Sequence, residues 1–131
     1  MTHHISGSFD VKLTPQTSPD KAADAVPGRM SIDKQFHGDL DAHSLGEMLA
    51  AVSNVKGSAG YVAIEQVTGK LQGRSGTFVL QHSGTMTRGT PQLSVSVVPD
   101  SGTGELAGLT GQMKINIVDG KHFYEFDYTL P

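Results

Sequence analysis

Side-chain character alternates every second residue along most of this chain, and that period confines it to β-strands. From Ile5 to Leu13, the residues Ile5, Gly7, Phe9, Val11 and Leu13 share one face, and Ser6, Ser8, Asp10 and Lys12 share the other. Such a segment is a strand with one side buried. The pattern recurs where Met30, Ile32 and Phe36 alternate with Ser31, Asp33 and Gln35. It returns in the run 92–98, with Leu93, Val95 and Val97 set against Ser94 and Ser96. The run Lys121 to Leu130 places Tyr124, Phe126, Tyr128 and Leu130 on one face, opposite Phe123, Glu125, Asp127 and Thr129.

Turn chemistry divides these runs. Asp119-Gly120 is a type I′ hairpin signal, and Gln72-Gly73 joins GYVAIEQVTGKL to RSGTFVLQHSGTM as a tight hairpin. Pro99 to Gly102 turns the chain, and short strands are expected over Thr103–Thr110 and Gly111–Val118. The segment 15–28 holds three prolines and no period, which predicts a long surface loop. Two readings compete over 39–54. Leu45, Met48, Leu49 and Val52 have helical spacing beside Ala50 and Ala51, but Gly46 interrupts them and strands flank them. Context favours a strand or bulged strand.

The expectation is one all-β domain over residues 1–131, with eight or nine short strands. A sandwich and a barrel both fit the spacing. A closed antiparallel barrel is favoured, because sixteen glycines supply bends and a terminal strand can pair on both sides. Ten basic and thirteen acidic residues, scattered to a net charge of −3, give no footprint for nucleic acid. Without cysteine there is no disulfide framework and no thiolate chemistry. No apolar stretch approaches the ~20 residues of a membrane helix, and no basic-then-apolar leader opens the sequence, so a cytoplasmic protein is expected.

The blocks GRMSIDKQFHGDLDA, GSAGYVAIEQVTGKLQGRSGTFVLQHSGTM, VVPDSGTGELAGLTGQM and DGKHFYEFDYTLP together resemble an uncharacterised bacterial domain family. That family is grouped with the allene oxide cyclase and dirigent-like barrels. The resemblance spans nearly the whole chain and implies an eight-stranded antiparallel barrel with a central cavity, often assembled into homo-oligomers. It carries over no catalytic residue, because none can be matched position by position, and a fold alone assigns no reaction.

The hairpin at Gln72-Gly73 pairs Ala63 with His82, Glu65 with Leu80, Val67 with Phe78 and Tyr61 with Gly84. Tyr61, Ala63, Glu65, Val67, Phe78, Leu80, His82 and Met86 then share a face, which is assigned to the interior as the bulkier and more apolar one. Glu65 and His82 become diagonal neighbours, ~7–8 Å apart along the backbone. A carboxylate beside an imidazole on an apolar wall suits general acid–base work, so these two are the catalytic candidates. Mutual satisfaction of two buried polar groups is the plainer alternative. Given a polar cavity, replacing Glu65 with Gln is expected to alter ligand affinity or pH dependence with little change in melting.

Tyr61, Glu65, Phe78, Leu80, His82, Tyr124 and Tyr128 are the expected ligand-binding residues, with the two C-terminal tyrosines also readable as plain core. Lys34, between Ile32 and Phe36, invites a Schiff-base or anion-binding role, against the ordinary habit of a lysine that snorkels at a barrel mouth. Six histidines show no metal-ligand spacing, and His37 and His43 merely flank Asp39 and Asp41. GTGELAG, from Gly102, is half a dinucleotide fingerprint without a βαβ unit, and turn glycines account for it. No cofactor is expected. The leading functional expectation is a barrel that binds a small, largely hydrophobic ligand. A cyclase- or isomerase-type enzyme and a filled structural barrel are the rivals.

Overall fold

Turn geometry sets the connectivity. Gln72 and Gly73 lie at φ 46° and 84°, and Asp119 and Gly120 at 52° and 77°. Two consecutive positive φ values define the I′ turn, whose twist matches that of the strands it joins. Arg88 and Gly89, at 47° and 90°, form a third such turn that the sequence did not announce, because arginine is no usual left-handed residue.

The computed structural model describes residues 2–16 and 28–131. Its strands are β1 (His3–Gln16), β2 (Gly28–Gly38), β3 (Leu40–Val52), β4 (Ala59–Leu71), β5 (Arg74–Thr87), β6 (Thr90–Val97), β7 (Thr110–Val118) and β8 (Lys121–Thr129). Each pairs antiparallel with the next, and β1 pairs with β8, from His3 opposite Tyr128 to Phe9 opposite His122. The sheet is a closed eight-stranded barrel. Of the loop expected over 15–28, residues 17–27 lie outside the described residues, and its two ends are strand.

The contested segment is a strand. Leu40, Ala42, Ser44, Gly46, Met48 and Ala50 face inward, and the alternate residues face out. The helical spacing of Leu45 and Leu49 instead leaves them 58% and 43% exposed on the outer wall. Gly46 sits opposite Glu65, where an added Cβ would come within 2.6 Å of the Glu65 Cα. That crowding explains the glycine.

The short strand expected over Thr103–Thr110 is not formed. Gly104 and Gly108 take φ of 61° and 83°, which breaks alternation, and the chain makes one 3-10 turn at Gly104–Leu106. The connection lies along the lower part of β5 and satisfies its amides: Val79 N–H donates to Ser101 Oγ and Thr77 N–H to Thr103 Oγ1. Leu106 and Leu109, each 1% exposed, close that end of the tube.

The barrel therefore has two unlike halves. Around the closed end Phe36, Leu40, Leu71, Phe78, Leu80, Tyr124, Phe126 and Tyr128 fill the lumen. Phe78 and Phe126 stack with centroids 6.0 Å apart, and Phe36 meets Tyr124 edge-on at 5.6 Å. Tyr124 Oη donates to His37 O at 2.9 Å and accepts from Leu40 N–H at 3.1 Å, bracing the corner between β2 and β3. Both backbone groups lose their partner in Tyr124→Phe. That variant is expected to lose about 1–3 kcal/mol, read from its urea midpoint at unchanged slope.

Candidate functional site

At the other end the strands stop filling the lumen. A cavity of about 510 Å³ opens there, walled by apolar side chains such as Val11, Ile32, Met48, Leu93, Ile115 and Ile117. Small residues make the room: Ala50, Ala63, Gly60 and Gly84 stand where larger groups would close it. The hairpin turns at Arg88-Gly89 and Asp119-Gly120, and the connection from β3 to β4, surround its mouth.

The floor is polar. Glu65, from the middle of β4, is wholly buried, and each of its oxygens is bound. Ser44 Oγ donates to Oε1 at 2.6 Å. Oε2 accepts from Lys34 Nζ at 2.8 Å and lies 2.5 Å from His82 Nε2. Tyr61 Oη stands 3.2 Å from the other imidazole nitrogen, Nδ1. Lys34 Nζ also lies 4.8 Å and 5.3 Å from the ring centroids of Phe9 and Phe36, a cation held over two π-faces. Four strands thus converge on one carboxylate: β2 through Lys34, β3 through Ser44, β4 itself, and β5 through His82.

Burial alone pushes the Glu65 pKa up, but the His82 hydrogen bond, the Lys34 charge and the bonds from Lys34 and Ser44 outweigh it. The balance holds the carboxyl at about 2. An ionised carboxylate only accepts, so His82 Nε2 carries the proton of that bond; when Nδ1 bears no proton, it accepts from Tyr61 Oη–H. The Tyr61 phenol is raised by burial and by the nearby Glu65 charge, so it stays protonated. Glu65 is consequently a weak base, held ionised by three donors, and it is not among the residues that line the cavity. The groups that reach the cavity are Lys34, His82 and Tyr61.

The sequence-derived candidates divide cleanly. Glu65, His82 and Tyr61 come together, with the hairpin register as expected. Phe78, Leu80, Tyr124 and Tyr128 do not line the cavity; they belong to the filled half, because their strand positions lie below the floor. Lys34 does not snorkel. It is 4% exposed, drawn inward by Glu65 and the two rings. As an ammonium ion paired to a carboxylate it has no lone pair for Schiff-base formation. Ser44 escaped notice, since a serine on an inward alternation gives no signal until β3 and β4 are registered.

The remaining histidines stand apart. On the outer surface His37 meets Asp10 and His43 meets Asp33 across a strand pair, and His4 meets both Asp127 and Glu125. His3 stacks on Tyr128, and His122 packs on Phe9 in the cavity wall. Among the described residues no three ligating side chains gather into a metal site, and no helix is long and apolar enough to cross a membrane.

The cluster controls stability as well as the site. Glu65 titrates at about 2 in the folded chain, below its ordinary value of 4.5, so its contribution is present above pH 4.5 and lost as pH falls toward 2. The shift corresponds to roughly 3 kcal/mol. Glu65→Gln is therefore expected to melt well below the parent at neutral pH, contrary to the sequence-based expectation, with the gap narrowing between pH 4.5 and 2. Lys34→Met strands the buried carboxylate and is expected to cost about 3–5 kcal/mol in urea unfolding at pH 7.

Comparison with known proteins adds kinship but no activity. No curated protein matches the chain. A crystal structure of a protein of unknown function from the DUF3224 family of the bacterium Shewanella oneidensis MR-1 superimposes with a TM-score of 0.92 at 55% identity, covering 100% of this chain and 98% of that one. The family model described as "Protein of unknown function (DUF3224)" matches residues 5–128. The chain belongs to the DUF3224 family.

Proposed function

We propose that this barrel is a binding module that takes a small, largely hydrophobic ligand into the open half of its lumen. One observation carries the reading: a cavity of about 510 Å³ whose wall is mostly apolar, with a polar cluster at its base and His122, Gln92 and Thr85 as the other polar lining residues. That volume lies within the ~300–1,000 Å³ of ordinary small-molecule sites. Filled with water at ~30 Å³ each, it would hold roughly 17 molecules, most of them against hydrocarbon. Exchanging them for an apolar guest gains about 25 cal/mol for each Å² removed from water. Kinship with the allene oxide cyclase and dirigent-like barrels is part of the same proposal, supported by closure at eight strands with a lumen reached from one end.

A second reading, a cyclase- or isomerase-type enzyme, is favoured by the chain Glu65–His82–Tyr61, which sets a carboxylate, an imidazole and a phenol in series at the cavity floor. The two readings separate once a guest retained by the purified protein is identified by native mass spectrometry. A guest returned unchanged after incubation with fresh protein is carried; one returned as an isomer of equal mass is transformed.

Ala50 lines the cavity directly opposite Tyr61, so Ala50→Phe fills the space beside that ring. The neutral fluorophore N-phenyl-1-naphthylamine is expected to bind the parent saturably at one site and to lose at least about tenfold in affinity for Ala50→Phe. Equal binding to both proteins would remove the cavity from consideration.

A further inference from the structure

The polar floor has an unspent donor. Lys34 Nζ offers three N–H bonds, yet Glu65 Oε2 is its only oxygen partner among the described residues, and the side chain lines the cavity. A buried ammonium with one oxygen partner, its other neighbours being the faces of Phe9 and Phe36, has capacity for an acceptor from the guest.

Charge narrows that guest further. Lys34 and Glu65 cancel one another, so an anion placed on Lys34 leaves one negative charge in a desolvated site. A proton on His82 balances it. That proton has one place to go, because Nε2 already donates to Glu65: it must bind Nδ1. Nδ1–H then donates to Tyr61 Oη, and the phenol turns its own O–H from the imidazole toward the lumen. The proton that neutralises the anion thus also frees a second donor for it. Lys34 and Tyr61 are tied to the same Glu65–His82 pair, and both line the cavity.

Resting on the cavity reading above, we infer that the guest is an amphipathic monocarboxylate, an apolar chain or ring bearing one carboxylate, which enters head first and binds together with a proton taken up by His82. The apolar body lies along the wall formed by Ile32, Met48, Leu93 and Ile115. No covalent step is involved.

The ionisable groups around His82 are few. β2 contributes Lys34, and β4 contributes Glu65 and Tyr61. β8 contributes His122 across the lumen, where it packs on Phe9 with centroids 5.2 Å apart. β3 presents Ser44, and the cavity wall from β1, β6 and β7 presents no ionisable side chain among the described residues. His122 is the other imidazole that could take the proton, and His122→Phe keeps a ring on Phe9 while removing it.

Octanoate and octan-1-ol, of equal length and unlike head, are the probes, each competed against N-phenyl-1-naphthylamine and titrated by calorimetry in phosphate and in Tris. Octanoate is expected to bind at least about tenfold tighter than the alcohol, with uptake of about one proton that persists in His122→Phe. In His82→Gln the uptake is expected to vanish and the preference for octanoate to collapse. Should that variant fail to fold, 15N NMR of the His82 ring in the parent decides the matter: both nitrogens become protonated on adding octanoate if the ring takes the proton, and a ring left unchanged, with octanoate entering as the neutral acid, overturns the inference. Equal affinity for the two probes, no proton uptake, or uptake lost in His122→Phe would overturn the inference while leaving the cavity reading standing. Absence of saturable fluorophore binding to the parent would remove both.

Discussion

Everything about the interior of this barrel is arranged around one buried carboxylate. Taking Glu65 out of water costs several kcal/mol before compensation, and a lone partner would not offset it. Four strands contribute instead: an ammonium from β2, a hydroxyl from β3 and an imidazole from β5 meet the carboxylate on β4. Each bond presupposes the correct register of its strand, because a slip of one residue would send the contributing side chain to the outer wall. The cluster thus fixes the alignment of β2 through β5 while it satisfies its own desolvation.

The cluster also divides the lumen. Below it the large rings interlock and Leu106 and Leu109 stop the end; above it the wall is apolar and the centre is empty. Tyr124 and Lys34 show the contrast. The Tyr124 hydroxyl is consumed by Leu40 N–H and His37 O and has nothing to offer a guest, whereas Lys34 retains donors beside open space. Polarity inside a barrel is therefore no guide to a site by itself; what matters is whether the polar group still has bonds to make.

Much of this was legible in the sequence, for reasons that particular residues make plain. Alternation announced the strands, and Asp119-Gly120 and Gln72-Gly73 announced two hairpins, which fixed Glu65 and His82 as neighbours on one face. Local chemistry suffices there because the turn joins the two strands directly. Ser44 and Lys34 lie on strands joined to β4 through the bend at Asp39 and the 53–58 connection, which carry no two-residue hairpin signal, so their convergence on Glu65 could not be read from spacing. The division of the lumen was hidden for a related reason. Phe78, Leu80, Tyr124 and Tyr128 have the same inward parity as Tyr61 and His82, and parity tells which face a side chain takes but not how deep along the axis it lies. The segment 103–110 misled because its apolar residues plug an end, a task that needs left-handed glycines rather than alternation.

The sheet is not equally sealed all the way round. β6 and β7 share only the rungs Val95–Met113 and Ser96–Gln112, both toward the stoppered end, while every other neighbouring pair is laddered over most of its length. Toward the mouth the facing rims of these two strands, with Leu93 on one and Ile117 on the other, have no backbone bonds to each other. A tube split along one side behaves like a collar with a slit: its bore can widen by spreading two lips that share no ladder there. On the binding reading proposed above, admission by girth would fall to the slit and recognition by charge to the base, two places that different residues control.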